Sequence, residues 1–289
     1  YITATRSEIR RTIDKSCEIK TIPISNSSTR FTNKLATCAC EEVSKAEIGS
    51  SAIIAVGAAA SARAIAAKGA HVVICDLRID NAEKIVAEIK AAGGAASARL
   101  LDATKEAQVH EVINSIHADH GAIHAFVNAV GITGPTGIAA HLLKTEDFVN
   151  VFNVNLFSAI YMNAAVLPHM IKAEYGRIMH VASISGKDGN PNMAPYSTSK
   201  AAMIGFVKAT AKEVATKGVT INSIAPAVVR SPINENTPEE VMKYMISRIP
   251  MGRIGEASEA GEMIAFVVSP ACSFTTGFVF DLSGGRATY

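Results

Sequence analysis

The chain is expected to fold as one α/β domain, a doubly wound parallel sheet of about seven strands with helices on both faces. Three observations predict this. From Ser51 onward, short apolar runs alternate with amphipathic segments of helical length. The apolar runs are hydrophobic throughout, as strands covered on both faces are. Apolar residues make up 48% of the chain, Ala and Gly are abundant and Trp is absent, which suits close packing of helices on a sheet.

Taken in order, Ala52–Val56 reads as the first strand, ending at Gly57, and Ala60–Lys68 as a helix. His71–Asp76 is the second strand. Asn81–Ala92 carries Ile85, Val86 and Ile89 at helical spacing and stops at Gly93 and Gly94. Ala95–Leu101 is a strand, Lys105–Asp119 a helix and Ala125–Asn128 a strand. A long helix over Thr145–Ile171 follows, then a strand over Arg177–Ala182 and a helix over Pro195–Thr216. Val219–Ile224 is a strand, Pro238–Ser247 and Ser258–Val268 are helices, and Phe278–Leu282 is the last strand.

The domain is expected to occupy residues 49–289. Residues 1–48 differ: they are rich in Ser and Thr and lack apolar periodicity. Up to Cys40 they hold seven Lys and Arg against Glu8, Asp14 and Glu18. That composition fits either a transit-peptide-like leader or an extension draped over the surface, and so a location in the cytoplasm or the mitochondrial matrix.

A formal charge of +2 implies no polyanionic partner, so nucleic-acid binding is not expected. Five scattered cysteines (Cys17, Cys38, Cys40, Cys75 and Cys272) make no disulfide framework, and Cys38 and Cys40 lack the further ligands a metal needs. No apolar run approaches the ~20 residues of a membrane span, so no membrane partner is expected.

Tyr196-Ser-Thr-Ser-Lys200 places a phenol and an ammonium four residues apart on one helical face. A neighbouring cation favours phenolate, which suits the phenol to exchange a proton with an alcohol or carbonyl oxygen. Ser183 lies 13 residues upstream in His180-Val-Ala-Ser183-Ile-Ser-Gly186, at a strand's carboxyl end, where such sheets bind ligands. Asn155, in Asn153-Val-Asn155-Leu156, falls inside an apolar helix, and burying its amide demands partners.

These residues and spacings resemble the short-chain dehydrogenase/reductase family, and the likeness runs from about Ser51 to Tyr289. The resemblance implies a Rossmann-type fold and a catalytic tetrad of Asn155, Ser183, Tyr196 and Lys200. Tyr196 is then the general acid/base and Ser183 the hydrogen-bond partner of the substrate oxygen. Lys200 holds the nicotinamide ribose and depresses the Tyr196 pKa, and Asn155 anchors a relay water. The stretch Asn222-Ser-Ile-Ala-Pro226-Ala-Val-Val229-Arg-Ser231 resembles the family loop that meets the nicotinamide, with Ala227 and Ser231 in place of Gly and Thr. Asp102 and Ala103 resemble the turn that contacts adenine. Val127-Asn128-Ala-Val-Gly131 resembles the motif after the fourth strand, with Ala129 and Val130 as departures.

The family's glycine-rich cofactor loop is the exception. Here the chain reads Val56-Gly57-Ala58-Ala59-Ala60-Ser61. Of the family's pattern only Gly57 remains, as if roughly five residues had been lost between Ala59 and Ala60. Alanine Cβ atoms are expected to crowd an approaching pyrophosphate and weaken cofactor binding. Asp76, ending the second strand, favours NAD over NADP because its carboxylate accepts hydrogen bonds from ribose and repels a 2′-phosphate. Arg78 lies close enough to offset that repulsion.

The expected activity is therefore hydride transfer between NAD, or NADP, and a secondary alcohol or ketone, of 3-oxoacyl or sugar-acid type. Pro191–Ala194, the lid region Ser231–Tyr244 and the segment Gly284–Tyr289 are expected to frame the substrate, with Arg230, Arg286 or His141 available to a carboxylate. The alternative is a non-catalytic scaffold or assembly subunit that kept the fold after losing the loop. A homodimer or homotetramer is expected by resemblance, packed through Ala159, Ala164, Ala201, Ala202 and Gly205 on the two long helices.

Overall fold

The computed structural model describes residues 52–231, 237–287 and 289. The predicted extension over residues 1–48, with Cys17, Cys38 and Cys40, lies outside the described residues, as do residues 232–236 of the predicted lid.

Seven parallel strands form one sheet in the order β3-β2-β1-β4-β5-β6-β7. They are β1 (Ala52–Val56), β2 (His71–Asp76), β3 (Ala95–Leu100), β4 (Ile123–Asn128), β5 (Gly176–Val181), β6 (Val219–Pro226) and β7 (Val279–Leu282). The chain winds outward from β1 to β3, then returns to β4 on the other side of β1. The crevice at the carboxyl ends of β1 and β4 is the switch point where such sheets bind ligands.

The strands are buried on both faces because each pleat sends alternate side chains to opposite sides. Ile53 and Ala55 of β1 face one core with Val72 and Ile74 of β2. Ile54 and Val56 face the other with Val73 and Cys75. The first core is covered by α1 (Ala59–Ala66), α2 (Ile79–Ala91) and α9 (Ala257–Val267). The second is covered by α3 (Glu106–His120), α5 (Ser158–Lys172) and α7 (Ala194–Val214). A further helix, α8 (Glu239–Ser247), begins within the predicted lid region.

Three departures from the sequence expectation matter for the site. The long helix is not uniform: α4 (Thr145–Phe152) passes into a π-helical turn over Asn153–Phe157 before α5 begins. The Ser158 amide there reaches the Asn153 carbonyl five residues back. Residues 184–188, assigned to no element from the sequence, form a short helix, α6 (Ile184–Asp188). Its cap is Ser183, whose Oγ accepts a hydrogen bond from the Ser185 amide. Third, the combined helix Thr145–Lys172 is long and apolar enough to cross a membrane, contrary to expectation. Its buried side chains, Met162, Val166 and Met170 among them, pack into the second core.

Of the small residues expected at a subunit interface, Ala164, Ala201 and Gly205 are exposed and Ala202 is half-buried. Ala159 is not available: it is fully buried against Ala182, Met203 and Ile204.

Candidate active site

The β1–α1 connection is two residues, Gly57 and Ala58. Gly57 adopts φ +66°, a conformation glycine takes without penalty, and a Cβ there would lie 3.4 Å from the Ala129 backbone on the turn after β4. The two switch-point turns are thus in contact. Ala58, half-buried, packs its side chain against the first core. Helix α1 has no side-chain cap and no acidic residue in its first turn, which leaves its N-terminal dipole available to an anion. Helix α9 closes tightly on the same turn, where a Cβ on Gly261 would lie 2.8 Å from the Ala60 carbonyl oxygen.

Asp76 stands at the carboxyl end of β2, with Oδ1 accepting from the Arg78 amide at 2.9 Å. With the Asn81 amide turned to accept, Arg78 Nε and Nη2 lie 3.0 and 2.8 Å from its oxygen. The guanidinium that threatened to offset Asp76 is therefore engaged on α2. Asp102 is built into a turn: Oδ1 accepts from the Thr104 amide at 3.0 Å and from its hydroxyl at 2.6 Å. Those bonds hold its carboxyl below the usual range. Ala103 is a core residue of the second cluster.

At the opposite side of the switch point, three segments converge. A Cβ on Gly131 would lie 3.3 Å from both Asn155 Oδ1 and Lys200 Nζ, so the turn after β4 runs directly over both groups. Asn155, fully buried in the π turn, accepts from the Ile132 amide at 2.8 Å. Its Nδ2 donates to the Ile132 carbonyl at 3.0 Å and to Ser199 Oγ at 2.9 Å. The amide thus clamps the β4 turn to α7. Ser199 in turn donates to the Tyr196 carbonyl.

Lys200 is 3% exposed, and Nζ donates to the Val181 carbonyl at the end of β5 at 2.7 Å. Burial lowers its pKa to about 8. Nζ lies 5.8 Å from the centre of the Tyr196 ring. Burial pushes the Tyr196 phenol up, and hydrogen bonding from Ser183 pulls it partly back. Helix α6 lies against α7 closely enough that a Cβ on Gly186 would meet the Lys200 carbonyl carbon at 2.7 Å. That contact sets Ser183 beside Tyr196.

A buried polar chain that the sequence reading missed supports this group. Asn128 accepts from the Val130 amide through Oδ1, and its Nδ2 lies 3.2 Å from His180 Nδ1. His180 Nε2 lies 3.0 Å from Asn163 Oδ1. An amide donor on Nδ1 assigns the proton to Nε2. Burial, with the nearby Lys200 charge, lowers the His180 pKa to about 3, so the ring is neutral. Sequence spacing gave no sign of this chain, because its members come from β4, β5 and α5.

The remaining predicted residues lie along the β6 end. Asn222 is structural: Nδ2 donates to the Thr275 carbonyl, and Oδ1 accepts from the Phe278 amide, which fixes the approach to β7. Pro226 ends β6 opposite Leu282, Val229 bridges to Gly255, and Ser231 opens the predicted lid region. A cavity of about 320 Å³ opens beside Ala227 and Val228, bounded also by Ile249, Met251 and Leu282. Asn155, Ser183, Tyr196 and Lys200 do not line it. Arg230 pairs with Glu256 and Arg286 with Asp188.

A doubly wound sheet with a phenol, an ammonium and a serine hydroxyl at its switch point has the framework of a nicotinamide-dependent oxidoreductase. Comparison with known proteins agrees. The family model described as "Enoyl-(Acyl carrier protein) reductase" matches residues 56–287. A 2-dehydro-3-deoxy-L-rhamnonate dehydrogenase (NAD(+)) of Sphingomonas sp. (strain SKA58) is 39% identical over 245 residues, 83% of this chain and 96% of that protein. A 3-oxoacyl-(acyl-carrier-protein) reductase of Thermotoga maritima is 35% identical over 220 residues, 76% of this chain and 89% of that protein. Among solved structures, an NAD+-bound xylitol dehydrogenase superposes with a TM-score of 0.78 at 28% identity, covering 83% of this chain and 100% of that one. The chain belongs to the short-chain dehydrogenase/reductase family. Nothing among these likenesses favours the non-catalytic alternative.

Proposed function

We propose that the protein is an NAD-dependent dehydrogenase that oxidises a secondary alcohol of a small sugar acid. The observation that carries this is the meeting of Ser183, Tyr196 and Lys200 at the switch point, with Asp76 at the end of β2. The 39% likeness to a 2-dehydro-3-deoxy-L-rhamnonate dehydrogenase supports the substrate class.

The residues fit a dinucleotide. Asp76 would accept from the adenosine ribose, and Arg78, turned onto Asn81, would leave that carboxylate's repulsion of a 2′-phosphate in force. The uncapped first turn of α1 would receive the diphosphate, and Lys200 would hold the nicotinamide ribose. A bound oxidised nicotinamide would supply the hydride acceptor and a positive charge to the site. Ser183 donates a hydrogen bond to the substrate oxygen, and Tyr196 Oη takes the hydroxyl proton. Burial makes the Tyr196 phenolate unfavourable in the free protein, so proton transfer awaits the bound charges. Exposed Ala164, Ala201 and Gly205 on α5 and α7 support two-fold packing of a homo-oligomer.

The test is turnover. The purified protein is expected to reduce NAD+ with 2-dehydro-3-deoxy-L-rhamnonate faster than it oxidises NADPH with an acetoacetyl thioester. The reverse order would assign it to the 3-oxoacyl class.

A further inference from the structure

The segment after β7 is tied to the stretch of chain between Ser183 and Tyr196. Ser283 Oγ donates to Asp281 Oδ1 at 2.7 Å and accepts from the Ala287 amide at 3.0 Å, which fixes the start of this segment on the sheet. From there Arg286 reaches back to α6. Its Nε donates to Asp188 Oδ2 at 3.3 Å and its Nη2 to Asn190 Oδ1 at 2.7 Å. The Arg286 side chain is only 10% exposed.

Asn190 passes the contact on in two directions. Its Nδ2 donates to Ser185 Oγ at 2.6 Å, and the Ser185 amide donates to Ser183 Oγ at 3.1 Å. Its own amide donates to Ser197 Oγ, on the residue after Tyr196, at 3.1 Å. One asparagine therefore joins both sides of the proton-transfer pair, and a guanidinium fixed to the sheet holds that asparagine. A second tie runs in parallel: Tyr289 Oη donates to the Lys187 carbonyl at 2.7 Å, and Lys187 Nζ lies 3.7 Å from Asp281 Oδ2.

We propose that Arg286 is a positioning residue for Ser183 and Tyr196, acting through Asn190. The inference rests on the roles assigned to Ser183 and Tyr196 above. Arg286 touches neither residue; its effect is to keep the Ser183 hydroxyl and the Tyr196 phenol in register. A misplacement near 1 Å at reacting groups lowers rates by up to about 10²-fold without changing binding elsewhere.

The test compares the wild-type chain with Arg286→Gln, Arg286→Lys and Asn190→Ala. Each is assayed with NAD+ and 2-dehydro-3-deoxy-L-rhamnonate, and each is followed by amide hydrogen exchange. Arg286→Gln and Asn190→Ala are expected to lower kcat about tenfold or more while KM for NAD+ stays within about twofold. Exchange is expected to quicken across residues 184–190 and to hold at wild-type rates in β4 and β5. Arg286→Lys is expected to recover part of kcat, because an ammonium still reaches Asp188 or Asn190. Unchanged exchange across 184–190 in Arg286→Gln, faster exchange there with unchanged kcat, or an equal rise throughout the sheet overturns the proposal. If the wild-type chain turns over neither this pair nor NADPH with an acetoacetyl thioester, the functional reading fails by itself. Exchange across 184–190 then decides alone whether Arg286 positions the segment.

Discussion

Tyr196 and Lys200 both sit where burial disfavours their charged forms, and this shapes what each can do. Lys200 keeps its position through the Val181 carbonyl, not through the phenol. Tyr196 keeps its proton until charge arrives nearby. Replacing Tyr196 by Phe removes the proton acceptor and little else, so turnover is expected to fall by roughly 10²- to 10⁴-fold. Steady-state kinetics with parallel NADH titration checks this, and unchanged turnover would remove Tyr196 from the chemistry. The spacing of Ser183, Tyr196 and Lys200 was legible in the sequence, because a helical turn and a strand end fix those positions locally. The roles of Asn155 and His180 were not, since their partners Ile132, Ser199, Asn128 and Asn163 come from distant segments.

Among the elements, the π turn between α4 and α5 explains how an asparagine can lie in an apolar helix. The extra residue in the turn is consistent with the functional bulges seen in other helices, and it sets the amide against the turn after β4. Asn155→Leu would leave the Ile132 amide and carbonyl without their partners, at about 1–3 kcal/mol for each buried group. Urea denaturation is expected to show a midpoint well below wild type; an unchanged midpoint would mean that solvent replaces the clamp. Apolar runs and periodicity made most strands and helices readable to within a few residues. Helix α6 was not, because five residues carry no period and the helix depends on the Ser183 cap and its contact with α7. The β1–α1 turn was readable as shortened, but the direction of the Ala58 methyl was set by the core beneath it.

Across the whole molecule, one buried and three partly buried histidines tie stability to pH. Burial lowers the pKa of His71, His124, His169 and, to about 3, His180. Each such group binds its proton more tightly in the unfolded chain than in the folded one. Their stabilisation is therefore complete above the ordinary value of 6.5 and is lost as pH falls from there towards about 3. The thermal midpoint is expected to drop between pH 7.5 and 5.5, and a flat or rising midpoint would contradict the burial of these rings as neutral groups. The parallel sheet, read from alternation alone, placed the site at the strands' carboxyl ends, whereas the strand order that puts the switch point between β1 and β4 was visible only in the fold.

The account depends most on a dinucleotide groove that still works with a two-residue turn between β1 and α1. Calorimetric titration of the purified protein with NADH and NADPH tests it directly. Saturable binding of NADH in the micromolar range, with NADPH weaker, is the expected result; no saturable heat with either nucleotide would contradict it.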